Sequence, residues 1–137
     1  MRQTSRAPLY AAAICLVCFL VTYAWLWLTV IWAVLVEDWA GTVAGLDAHN
    51  IIHALTLAER VLIISACIFI TLTLAALAFR RRFALYAACG TLMSHFAAWL
   101  LMADNPYYSA QPGFFFLPLE GLAITLIVLL VRRQALR

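Results

Sequence analysis

Residues 61–103 read VLIISACIFITLTLAALAFRRRFALYAACGTLMSHFAAWLLMA. Two apolar runs, Val61–Phe79 and Phe83–Ala103, flank three consecutive arginines, Arg80, Arg81 and Arg82. Each run has the roughly 20 residues that a helix needs to cross the ~30 Å hydrocarbon core of a bilayer. Neither alternates apolar and polar residues as a membrane strand would. A segment in lipid must satisfy its own backbone hydrogen bonds, so helices are the expected form. The short arginine turn predicts that the two helices return side by side.

The same reading extends in both directions. An earlier apolar run covers Leu9–Val36 and a later one Phe114–Val131. The first far exceeds the roughly 7–15 residues of a signal-peptide core, which predicts a retained span that tilts or projects beyond the bilayer. Composition agrees: 67% of the 137 residues are hydrophobic and 11% charged, against about 45–50% and 25% in soluble domains. The expected fold is all-α. It is a polytopic integral membrane protein of one domain, residues 1–137, with spans at about 9–36, 61–79, 83–103 and 114–131 in an antiparallel four-helix bundle.

Arginine placement predicts the orientation. Arg2 and Arg6 precede the first span, Arg80–Arg82 join the second to the third, and Arg132, Arg133 and Arg137 follow the fourth. Four spans put all of these on one side. Glu37, Asp38, Asp47, Glu59 and Asp104 fall on the other, with Arg60 as its basic residue. By the positive-inside rule both termini are cytoplasmic. The formal charge of +3 is too small and too dispersed for a nucleic-acid footprint. The lipid bilayer is the first expected partner.

Cys15, Cys18, Cys67 and Cys89 all lie within apolar runs, where a disulfide framework has no place. Cys15 and Cys18 form a C-x-x-C, but redox use needs a stabilised thiolate. The surrounding Ala, Ile, Leu and Val provide no positive group, so inert thiols are expected.

Outside the spans, residues 37–60 hold Gly41, Gly45 and then a helix-like stretch. Asp47 suits its N-cap. Leu46, Ile51, Leu55 and Ala58 would form the apolar face of an interfacial helix over about 46–58. Asn105-Pro106 and Gln111-Pro112-Gly113 mark turns in the second outer loop. Within the spans, Gly90, Ser94 and Ala98, with Gly121 and Thr125, offer small surfaces for helix packing.

Ionisable residues inside a span are costly and mark candidate sites. His95 and Glu120 stand about two turns from the outer ends of the third and fourth spans. Similar depth predicts that they meet, as a structural clamp between helices or as the polar part of a ligand site. Trp25, Trp32 and Trp39 recur every seven residues. Trp25 and Trp32 are candidate walls of an aromatic pocket, against the plainer role of packing and interface anchoring. His49 and His53 have the four-residue spacing of paired helical metal ligands. Asp47, Glu59 or another segment would supply a third ligand. The H-E-x-x-H pattern is absent, and no glycine-rich phosphate loop or G-x-S-x-G elbow is present.

Three functional expectations follow. The first is a small accessory or interaction protein of a prokaryotic cytoplasmic membrane, bound to another membrane protein or to a second copy of itself. The second is a binding or redox module whose outer-half pocket uses His95 and Glu120 to hold a quinone, another lipid-soluble molecule or a metal ion. The third is a small transporter acting as an oligomer.

Overall fold

The computed structural model describes residues 7–43, 46–108 and 111–136. Arg2, Arg6, Gly45 and Arg137 lie outside them. Of the described residues, 83% are helical. Its helices are α1 (Ala7–Glu37), α2 (Ala48–Ala54), α3 (Leu57–Ala78), α4 (Phe83–Leu101) and α5 (Gln111–Arg132), with a 3-10 turn at Met102–Asp104 after α4. Four of them, α1, α3, α4 with its 3-10 extension, and α5, are long and apolar enough to cross a membrane. At 1.5 Å per residue, the 31 residues of α1 span about 46 Å, well beyond a ~30 Å core.

The helix ends are built by local chemistry. Thr56 and Glu59 form a capping box at the start of α3: the Glu59 carboxylate accepts from the Thr56 backbone N–H, and Thr56 Oγ1 accepts from the Glu59 N–H. This satisfies donors that a helix start leaves open. α3 ends in a left-handed residue, Arg80, with φ 53°. The Arg80 N–H bonds the Leu77 carbonyl and the Arg81 N–H the Ala76 carbonyl, the paired closure usually built on glycine. α5 repeats it: Gln134 has φ 55°, and the Gln134 and Ala135 N–H groups bond the carbonyls of Val131 and Leu130.

α3 packs most extensively on α4, α1 packs on α3 and α5, and α4 also packs on α5. Gly90 admits the close α3–α4 contact, since a Cβ there would lie 3.0 Å from the Phe69 ring. The expected packing at Gly121 and Thr125 does not occur. Nothing lies within 4 Å of a Cβ built on Gly121, and Thr125 is exposed. Near the arginine turn, the Tyr10 hydroxyl donates to the Leu77 carbonyl at 2.5 Å, Arg80 lies over the Tyr10 ring, and Arg82 Nε donates to the Leu136 carbonyl. These contacts bring the start of α1, the α3–α4 turn and the chain after α5 together.

The segment expected as one interfacial helix over 46–58 takes a different form. A two-stranded antiparallel pair, β1 (Thr42–Val43) and β2 (Leu46–Asp47), comes first. Asp47 then caps α2 by accepting from the Asn50 N–H. α2 stops after seven residues because Thr56 begins a new helix. Its apolar face is Ala48, Ile51, Ile52 and Leu55 rather than one that includes Ala58, which is exposed. Ile51 and Ile52 are each 1% exposed, so α2 is packed inward, in a cluster with Val30, Val34 and Met102. Arg60 and Asn105 fix it there through bonds to the Ile52 and Ile51 carbonyls.

Candidate functional site

α4 and α5 bring His95 and Glu120 into contact. His95 Nδ1 donates to Glu120 Oε1 at 2.6 Å. Glu120 is 7% exposed, and its second oxygen, Oε2, is buried with no hydrogen-bond partner among the described residues. A buried acceptor without a partner is costly, so its environment decides what it is for. Two residues earlier, Pro118 lies within α5 and has no N–H to give the Phe114 carbonyl. Membrane helices tolerate that loss where neighbouring groups compensate.

That environment is a half-open cavity of about 110 Å³. Leu20, Tyr23, Ala24, Trp27 and Ile31 of α1 line one wall. Ala66, Cys67 and Ile70 of α3 line another, and Thr91, His95, Ala98 and Trp99 of α4 a third. Phe116 and Glu120 come from α5. Ile51, Ile52 and Leu55 close the α2 end together with Met102 and Tyr108. The cavity thus lies between two separately packed clusters, one beneath α2 and one reaching the arginine turn.

The aromatic walls are ordered by contact with each other. Tyr23 stacks on Phe116 with centroids 3.6 Å apart and meets Trp27 edge to face. Trp99 meets Phe114 edge to face. Gly113 leaves the room that the Trp99 indole occupies, because a Cβ there would overlap the ring. Tyr108, in the loop after α4, is half-buried. That burial pushes its phenol up to about 12, with the nearby Tyr23 phenol adding to the effect. The polar groups lining the space differ in what remains free. Thr91 Oγ1 donates to the Ala87 carbonyl and the Cys67 thiol to the Ala24 carbonyl, whereas Glu120 Oε2 is left over.

Trp25 and Trp32 do not line this cavity. They are 54% and 62% exposed, and Trp25 donates to Thr71 on the outward surface. The cause is helical phase. At about 100° per residue, Trp25 and Trp27 project about 160° apart, so the stripe through Trp25 and Trp32 faces away from Trp27. Trp39 leaves the stripe altogether, because α1 ends at Glu37 and Asp38 turns left-handed with φ 52°. The inward residues Leu20, Tyr23, Trp27 and Ile31 follow the three- and four-residue spacing of one helix face. The all-round apolarity of α1 concealed which stripe faced inward.

The expected grouping of His49, His53 and Glu59 is also changed. Glu59 is 5% exposed and committed to Thr56, from which its Oε2 accepts two hydrogen bonds. Asp47 is committed to Asn50. Asp38 joins the histidines instead: the ligand atoms of Asp38, His49 and His53 all lie within 4.8 Å of one another. Their separation in sequence hid this grouping until the left-handed turn after α1 brought Asp38 over α2. The cysteines form no disulfide; Cys15 and Cys18 are exposed on α1 and Cys67 is buried.

Comparison with protein-family models, with curated proteins and with solved structures finds no match to this chain.

Proposed function

We propose that this protein is a membrane-embedded binding module for a lipid-soluble molecule that carries a ring and a hydrogen-bond donor, of the quinol type. One observation carries the reading: Glu120, a buried carboxylate with one unpartnered oxygen, belongs to the lining of a cavity walled by aromatic and aliphatic side chains. A ligand hydroxyl would supply the missing donor. The His95 bond holds the other oxygen and so fixes the direction in which the free one accepts. Trp27, Trp99 and Phe116 would flank the ring. The cavity, at about 110 Å³, is smaller than the ~150 Å³ enclosed cavity that admits benzene, so a one-ring headgroup would extend through its open side.

The setting belongs to the same proposal. The four long helices close into an antiparallel bundle in a prokaryotic cytoplasmic membrane, with both termini cytoplasmic. The contacts among Tyr10, Arg80, Leu77, Arg82 and Leu136 at one end support it, as does the arginine bias toward that end. The cavity then occupies the outer half, under α2.

The direct test is binding of a short-tailed benzoquinol to the tag-free protein in lipid nanodiscs. The reading expects one site per chain. Glu120→Leu should weaken it by about 10–150-fold, the equivalent of the 1.5–3 kcal/mol of a hydrogen bond to a charged group. Binding that survives Glu120→Leu unchanged would overturn the assignment. A second reading, an accessory protein held to a membrane partner, draws on the outward tryptophans of α1, exposed at seven-residue spacing. It predicts that Trp25→Ala and Trp32→Ala release a copurifying protein while benzoquinol fails to bind.

A further inference from the structure

A second site, separate from the cavity and independent of what the cavity holds, lies where α1 gives way to the chain before α2. We propose that Asp38, His49 and His53 bind one divalent first-row transition-metal ion of the Zn²⁺ class. His49 Nε2 and Asp38 Oδ1 are 3.1 Å apart. The tetrahedral zinc geometry, with bonds of about 2.0–2.1 Å, separates neighbouring ligand atoms by about 3.3 Å. All three residues offer a ligand atom within 4.8 Å of the other two. The His49 and His53 rings are tilted at 50° with centroids 4.4 Å apart, the result of placing them four residues apart on one face of α2. An ion pair between His49 and Asp38 explains two of the three residues. It does not explain why His53 completes the cluster.

The donor set selects the ion class. Two imidazoles and a carboxylate suit Zn²⁺, Co²⁺, Ni²⁺ or Cu²⁺, whereas Mg²⁺ and Ca²⁺ prefer all-oxygen shells. Water would complete the coordination. The backbone supports the arrangement, since Asp38 adopts a left-handed φ of 52° at the point where the chain leaves α1. Its carboxylate, 89% exposed, turns to His49 when solvent is freely available. Asp38 follows α1 and both histidines sit on α2, so a bound ion ties the end of α1 to the helix whose Ile51 and Ile52 close the cavity.

The test uses tag-free, metal-stripped full-length protein in nanodiscs, titrated with Co²⁺ as a spectroscopic probe. One equivalent per chain should produce the ligand-field bands of a nitrogen- and oxygen-bound ion, and Zn²⁺ should displace it. His49→Ala, His53→Ala and Asp38→Asn should each weaken binding by more than about tenfold, because removing even a group that only orients a metal ligand costs 10–100-fold. These side chains are half-buried or exposed, and the thermal transition without metal should remain where it is in the parent protein. Thr125→Ala, at an exposed position outside both sites, should leave Co²⁺ affinity unchanged. Absence of the bands at one equivalent, or affinity retained in both histidine variants, would overturn the proposal.

Discussion

Replacing His95 by leucine strands a carboxylate that already lacks one partner. Glu120 is 7% exposed. Among the described residues, His95 is the hydrogen-bond partner of its Oε1, at 2.6 Å, and Oε2 has none. Losing His95 leaves both oxygens buried and unpaired. A newly orphaned polar atom costs about 1–3 kcal/mol, so His95→Leu should cost about 2–3 kcal/mol. The reverse change differs. Glu120→Leu removes both acceptors, including the orphan, and leaves a histidine whose side chain is 24% exposed. Its cost should be about 1 kcal/mol or less. Interhelical hydrogen bonds in membranes average about 0.6 kcal/mol and reach about 1.7. A short bond to a carboxylate belongs at the upper end, so the double-mutant cycle should return a coupling of about 1–2 kcal/mol. The assay is reversible unfolding in mixed micelles for the parent, both single variants and the double variant. Additivity to within about 0.5 kcal/mol would refute the interaction. A Glu120→Leu penalty larger than that of His95→Leu would refute the claim that Oε2 is unsatisfied.

Further expectations concern other parts of the chain. Reporter fusions after Arg82 should report cytoplasm and fusions near Asp47 the outside; an outside signal after Arg82 would remove the four-span topology. Ala98→Leu, at a position 2% exposed on the cavity wall, should abolish benzoquinol binding while the protein still folds, as judged by circular dichroism. Thr56→Ala should cost about 1 kcal/mol by removing the cap of α3, and a thermal transition unchanged from the parent would count against the capping box. Ultraviolet titration should find Tyr108 neutral until about pH 12, above the ordinary tyrosine value near 10. Because the folded value is raised, the stability linked to this phenol is complete below about pH 10 and is lost as pH rises through about 12. Tyr108→Phe should remove that late-titrating absorbance.

The long elements were legible because their physics is local. Twenty apolar residues bounded by arginines or turn residues permit little but a membrane helix, and α3 and α4 begin and end within a few residues of the expected limits. The His95–Glu120 contact was accessible too, since counting back from a hairpin places two residues at equal depth. Rotation about a helix axis was not accessible. α1 is apolar on every side, so the sequence carried no contrast to separate the inward stripe of Tyr23 and Trp27 from the outward one of Trp25 and Trp32. The segment between α1 and α3 was hardest, because its form depends on competition among caps. Thr56 and Glu59 claim the start of α3, Asp47 claims α2, and the left-handed Asp38 redirects the chain. Together these decisions freed Asp38, rather than Glu59, to join the histidines. The Asp47 cap was legible and Thr56-x-x-Glu59 has the capping-box spacing, but the left-handed turn at Asp38 has no such signature.

The central claim is that Glu120 and His95 present a ligand site in an aromatic cavity. It is tested most directly by extracting the native protein in mild detergent and measuring bound small molecules by mass spectrometry, beside Glu120→Leu and Ala98→Leu. The account predicts a lipid-soluble ring compound bearing a hydroxyl, near one per chain in the parent and lost from both folded variants. A parent protein that carries no such compound, or variants that carry it at the same level, would contradict it.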